Sequence, residues 1–129
     1  MSDKAIVLLV EDEEDIAKIT SYRIETAGYE VKLAEDGKKA LEMAKTENPD
    51  IILLDLNIPE ITGKEVCLIL KEDDDYKHIP IIILTASADD AKRVYRDIKA
   101  NDYLIKPYEP NELLDKIKEY VDKSVVMSS

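Results

Sequence analysis

Three apolar runs in this chain do not alternate with polar residues, and that constrains the fold more than any other feature. They cover residues 5–10, Ile51-Ile52-Leu53-Leu54 and Ile81-Ile82-Ile83-Leu84. A strand with one wet face alternates apolar and polar residues, whereas a strand covered on both faces reads as a continuous apolar run. Two weaker runs, at 30–34 and 102–105, bring the number of predicted strands to five, and helical patterns fill every interval. Strands alternating with helices imply right-handed crossovers and a parallel sheet packed between two helix layers.

In the predicted first helix, Ile16, Ile19, Ile24 and Ala27 are read as the buried stripe, with Asp15, Lys18, Tyr22 and Glu25 opposite and Gly28 as the left-handed stop. The second helix follows Asp36-Gly37 and ends before Asn48-Pro49, because proline disfavours helix at the preceding residue. The third is expected from about Gly63 to Glu72, closed by Asp73-Asp74-Asp75. Stripes at Ala91, Val94, Tyr95 and Ile98, and at Leu113, Leu114, Ile117, Tyr120 and Val121, define the fourth and fifth.

Polar groups stand where these runs end. Glu11-Asp12 follows the first, Asp55 ends the third, Thr85 ends the fourth and Lys106-Pro107 follows Tyr103-Leu104-Ile105. Open α/β sheets place their chemistry at the carboxyl ends of the strands. Were these three carboxylates brought together, they would repel one another, which would raise at least one pKa unless a cation neutralised them. An all-oxygen set of that kind suits Mg²⁺, while one Cys and one His leave no zinc site.

Composition closes off several classes. The chain of 129 residues is 45% apolar, enough for one domain with a substantial core, here read as 1–129 with a core of about 4–122 and a frayed tail at 123–129. Asp and Glu outnumber Lys and Arg 29 to 18, for a net charge of -11, which argues against direct binding to nucleic acid. No run approaches the roughly 18 apolar residues of a membrane span, and the first run meets acids too early for a secretory signal. A cytoplasmic location is therefore expected, and the lone Cys67 fits it as a packed thiol. Gly28, Gly37 and Gly63 form neither a dinucleotide fingerprint nor a P-loop.

Glu11, Asp12, Asp55, Thr85 and Lys106-Pro107, each at the end of a different strand, resemble the receiver domain of two-component response regulators over about Lys4 to Asp122. The resemblance implies a flavodoxin-like, doubly wound (βα)5 fold with sheet order 2-1-3-4-5. It implies Asp55 as phosphoacceptor for a sensor histidine kinase or histidine phosphotransferase. Mg²⁺ is expected on Asp12 and Asp55, on Glu11 through water and on the backbone carbonyl of Asn57. Lys106 and Thr85 would contact the phosphoryl group, Tyr103 would rotate inward, and Asn57 and Ser87 would tune dephosphorylation. The fourth helix, fifth strand and fifth helix would then bind a downstream protein or promote a dimer. The exposed face of the first helix is expected to dock the donor.

Such a chain catalyses only its own phosphorylation and dephosphorylation, so it is read as a signalling phosphoacceptor rather than an enzyme. Two alternatives stay open: an amino-terminal receiver of a larger regulator, and a binding module that works without phosphorylation. A dehalogenase-like hydrolase would need an acid at Asn57, which cannot transfer a proton. Lys99 stands where receivers usually carry Gly, so either Lys99 is left-handed or Asn101 takes the turn, and the end of the fourth helix is expected to be altered. The resemblance also implies a cis Lys106-Pro107 bond.

Overall fold

The structure, a computed structural model, describes the backbone of residues 4–128 and the side chains of residues 4–122. Elements alternate strictly: β1 (Ile6–Val10), α1 (Glu14–Thr26), β2 (Glu30–Ala34), α2 (Gly37–Thr46), β3 (Ile51–Asp55), α3 (Gly63–Glu72), β4 (Ile81–Thr85), α4 (Ala88–Asp97), β5 (Asp102–Ile105) and α5 (Pro110–Ser128). All strand pairs are parallel, in the order β2-β1-β3-β4-β5. The fold is the doubly wound flavodoxin-like one. Of the expected tail at 123–129, the backbone is helical through Ser128, and Ser129 lies outside the described residues.

Period-two alternation sorts the strand residues between two cores. Leu8, Val10, Ile52, Leu54, Ile81 and Ile83 face Ala40 and Ala44 of α2, Val66, Cys67 and Leu70 of α3, and Val94 of α4. Val7, Leu9, Ile51, Leu53, Ile82 and Leu84 face Ile24 of α1 and Leu113, Ile117 and Val121 of α5. Burial on both faces is what the unalternating runs required.

The expected stripe on α1 is corrected by the structure. Ala17 and Ile24 are its buried residues, seven positions or about two turns apart, whereas Ile16 and Ile19 are 39% and 56% exposed and Ala27 is exposed. That core face is filled largely from α5, so α1 needs only a narrow stripe. Tyr95 likewise leaves the predicted stripe of α4, standing half-exposed with its ring edge-on to Tyr103 at 5.6 Å.

Local chemistry sets the helix starts. Asp36, Thr62 and Ser87 accept from the backbone N–H groups of Lys39, Glu65 and Asp90 and so cap α2, α3 and α4. Two glycines allow close approach beside the strand ends. A Cβ on Gly63 would lie 2.6 Å from the carbonyl oxygen of Asp55, and one on Gly37 would overlap that of Ile61. Gly28 has φ 104, as a stop to α1 requires.

At the other end of the sheet, Lys99 has φ 62 and takes the left-handed turn after α4 itself. Asn101 is freed for another task. Its Oδ1 accepts from the Ile81 N–H at 2.9 Å and from Lys71 Nζ at 2.6 Å, and its carbonyl accepts from the Tyr120 hydroxyl. Asp102 next to it accepts from the Tyr103 N–H, Lys116 Nζ and the Tyr120 hydroxyl. Together these contacts fasten α3, β4 and α5 to the first residue of β5 and the one before it.

Two outcomes follow from this packing. Lys99→Gly relieves a left-handed side chain and should stabilise the fold by about 1 kcal/mol in urea unfolding; a loss of stability would refute the strain. Cys67 is fully buried, and burial pushes its thiol from 9.0 up to about 11. Because the folded pKa is raised, this stabilisation is complete below pH 9 and is lost as pH rises toward 11, where the unfolded thiol ionises first. Thiol labelling at pH 8 should therefore follow global unfolding, and rapid labelling of the native protein would overturn this.

Candidate functional site

Sheet register brings the sequence-predicted acids together. Val10 pairs with Leu54, so Glu11 and Asp12 leave β1 beside Asp55 at the end of β3. Asp55 in turn pairs with Leu84, and Thr85 with Ile105, which sets Thr85 and Lys106 one residue beyond the same level. The Lys106 N–H donates to the Thr85 carbonyl at 2.8 Å, tying the two loop mouths. The Lys106-Pro107 bond is cis, as the resemblance implied.

Asp55 is 5% exposed and fully engaged. Its Oδ2 accepts from Lys106 Nζ at 2.7 Å and its Oδ1 from the Asn57 N–H at 2.8 Å. Glu11 is also buried; its Oε1 accepts from Lys106 Nζ at 3.5 Å and its Oε2 from the Glu13 N–H at 3.2 Å. Asp12 is exposed at the rim. One carboxylate oxygen from each of the three acids lies within 4.8 Å of the others.

Electrostatics follows from this crowding. Burial pushes the Glu11 carboxyl above the usual carboxylate range; the Glu13 N–H and Lys106 pull it back, and the Asp55 charge adds to the rise. The expected direction is present, but burial rather than like-charge repulsion is the larger cause. Burial would lower Lys106, yet its hydrogen bond to Asp55 and the charges of Asp55 and Glu11 outweigh this and raise it. Lys106 is thus a fixed cation. Three carboxylates against one ammonium leave two negative charges, the amount a divalent cation offsets, and an all-oxygen donor set fits Mg²⁺.

The remaining predicted residues lie on β4, β5 and the loops that follow β3 and β4. Thr85 is buried, and its Oγ accepts from the Ser87 N–H at 3.2 Å, so its hydroxyl proton is available to a new acceptor. Ser87 spends its own oxygen on the Asp90 N–H. Asn57 is exposed beside Asp55, and Tyr103 is half-buried against Tyr95. His78 is exposed in the loop before β4, and Cys67 belongs to the core; neither joins the cluster.

The sequence leaves Tyr108 open between a partner contact and cover for the sheet, and the structure packs it, partly buried, against the α1–α5 core. Its hydroxyl is pushed up chiefly by burial, with Lys106 opposing and Glu11 and Asp55 adding, so it lies within electrostatic range of the site. Its position two residues after Lys106 was the available signal.

Residues 7–118 match the family model described as the response regulator receiver domain. The chain is 37% identical over 121 residues to the alkaline phosphatase synthesis transcriptional regulatory protein PhoP of Bacillus subtilis, covering 93% of this chain and 50% of PhoP. It is 38% identical over 117 residues to the polar-differentiation response regulator DivK of Brucella anthropi, covering 89% of this chain and 94% of DivK. The chain therefore spans about half the length of PhoP and nearly all of DivK.

Among solved structures, Vibrio cholerae chemotaxis protein CheY4 superposes with a TM-score of 0.83 at 34% identity, over 91% of this chain and 98% of that one. The receiver domain of sensor histidine kinase PA1611 from Pseudomonas aeruginosa, with a magnesium ion in its active-site cleft, gives a TM-score of 0.84 at 29% identity. That match covers 92% of this chain and 98% of the PA1611 domain.

The charge balance makes a direct prediction. In metal-free buffer, Lys106→Met leaves two buried carboxylates without their cation and should destabilise the fold by about 1–3 kcal/mol. Paired with Asp55→Asn, the loss should shrink, as a double-mutant cycle by denaturant unfolding measures. Additive losses would show that the two residues do not act together.

Proposed function

The chain belongs to the response regulator receiver domain family of two-component signalling, and from that premise we propose that Asp55 is its phosphoacceptor. The observation that carries this reading is the Lys106–Asp55 contact at 2.7 Å within a cluster of three carboxylates. An Asp55 oxygen attacks the phosphorus of a phosphohistidine on a kinase or phosphotransferase. The phosphorus–nitrogen bond breaks, its electron pair returns to the imidazole, and an acyl phosphate forms. Positioning and charge neutralisation carry such a transfer.

Bound Mg²⁺ would neutralise phosphoryl charge, held by Asp12 and Asp55 directly, by Glu11 through water and by the Asn57 carbonyl. Lys106 gives up its contact with Asp55 to meet a phosphoryl oxygen from the other side. Thr85 donates its free hydroxyl proton to the same group, drawing the β4–α4 loop inward. Tyr103 exchanges its edge contact with Tyr95 for a more buried position. The surface of α4, β5 and α5 changes with it and alters affinity for a downstream protein or a second copy, a coupling of about 1–3 kcal/mol.

Water then hydrolyses the acyl phosphate, at a rate that Asn57 and Ser87 tune from either side. Asp15, Lys18, Tyr22 and Glu25 are all exposed on α1, which supports that helix as the docking face for the donor. No described helix is long and apolar enough to cross a membrane; the proposed setting is cytoplasmic, without direct nucleic-acid contact by this domain.

Two settings are each favoured by an observation. Similarity to the response regulator DivK supports a single-domain relay or docking switch, and similarity to the transcriptional regulatory protein PhoP supports the amino-terminal receiver of a larger regulator. Both use the same site.

Intact-mass analysis after incubation with Mg²⁺ and a small phosphodonor tests the assignment. One phosphoryl adduct is expected, labile to base and absent from Asp55→Asn and from magnesium-free samples. An adduct that survives in Asp55→Asn would move the site elsewhere.

A further inference from the structure

Beside the phosphoacceptor, a groove of about 230 Å³ runs between the β3–α3 loop and α4, lined by Leu56, Asn57, Thr62, Lys64, Asp90, Arg93 and Val94. It begins at the residues that directly follow Asp55, and the Asn57 backbone is itself bonded to the Asp55 carboxylate. Lys64 stands in the first turn of α3 and Arg93 in the middle of α4, both exposed. Among the described residues neither takes part in a salt bridge, and Asp90 is the one acid that lines the groove with them.

Their setting makes these two cations consequential. The chain carries a net charge of -11, and the site holds three carboxylates against one lysine that is already paired. A phosphodonor is an anion and must approach against that field. Clefts lined by one sign of charge focus the local potential and raise the concentration of opposite charge within them. Among the side chains that line this groove, positive ones outnumber negative ones, two to one.

Resting on the phosphoacceptor reading, we infer that Lys64 and Arg93 make this groove a selector for small phosphodonors with an anionic leaving group, of the acyl phosphate class. With acetyl phosphate, an Asp55 oxygen attacks phosphorus, the bond to the acyl oxygen breaks and acetate departs with the electron pair. Negative charge grows on that oxygen during transfer, where nearby cations stabilise it. With phosphoramidate the phosphorus–nitrogen bond breaks, the nitrogen takes up a proton and neutral ammonia departs. Cations along the groove give no such help to a neutral leaving group. Lys64 and Arg93 thus act on the choice of donor.

The experiment measures phosphorylation rates with acetyl phosphate and with phosphoramidate, by intact mass at fixed ionic strength, and compares their ratio between variants. Lys64→Gln combined with Arg93→Gln should lower the acetyl phosphate to phosphoramidate ratio by about tenfold, the low end of what focusing in a cleft supplies. Asp90→Asn removes the opposing charge and should raise the ratio, an opposite sign that loss of folding cannot imitate. A ratio unchanged in both, or moving the same way in both, overturns the inference while adduct formation on Asp55 stands. Failure of every donor on the wild-type protein overturns the phosphoacceptor reading and this inference together.

Discussion

The contact between Lys106 and the carboxylates of Asp55 and Glu11 joins residues 51 and 95 positions apart and makes an otherwise unfavourable arrangement tenable. Two buried acids at the end of a sheet lose solvation that nothing apolar can replace. One lysine arriving from the far side of the strand order restores part of it. The parallel topology exists in a form that allows this because β1 and β3 are neighbours at the centre while β5 lies at the edge. The loop after β5 carries Lys106 back toward them. Removing the lysine leaves the sheet intact in outline but costs the site its internal counter-charge.

Backbone proximity is the second requirement, and glycine supplies it. Gly63 lets α3 begin against the carbonyl of Asp55, so the seven-residue loop after the acidic residue folds back and returns the helix start to the strand end. Gly37 does the same where α2 meets the β3–α3 loop, with its N–H donating to the Pro59 carbonyl. A side chain at either place would drive the loop outward and move the groove floored by Leu56 and Asn57. The site's shape is thus set as much by missing atoms as by charged ones.

Much of this was legible in the residues. Unalternating apolar runs announced doubly covered strands, and the polar group after each run announced a shared rim. The limits of α3 and the φ of Gly28 followed from local chemistry. The buried face of α1 did not, because Ile16 and Ile19 look like core in a one-dimensional pattern. The space they would fill is taken by Leu113, Ile117 and Val121, about a hundred residues later. For the same reason the role of Asn101 was hidden: its partners Lys71, Ile81 and Tyr120 come from three other elements. The large share of burial in raising Glu11 was equally unreadable, since it depends on what packs above the strand end.

The fastening at Asn101 and Asp102 also bears on a hazard that every open sheet carries. A strand at the edge of a sheet presents unpaired backbone groups to any extended chain that approaches, and strand addition of that kind seeds aggregation. β5 is such an edge, only four residues long. The Asp102 carboxylate takes up the N–H of Tyr103, and Lys116 and Tyr120 reach from α5 to cover the same corner. A neighbouring strand would find the first donor of that edge already used and a charged side chain over it. A cluster that orders one corner of the fold therefore also blunts the β5 edge against strand addition.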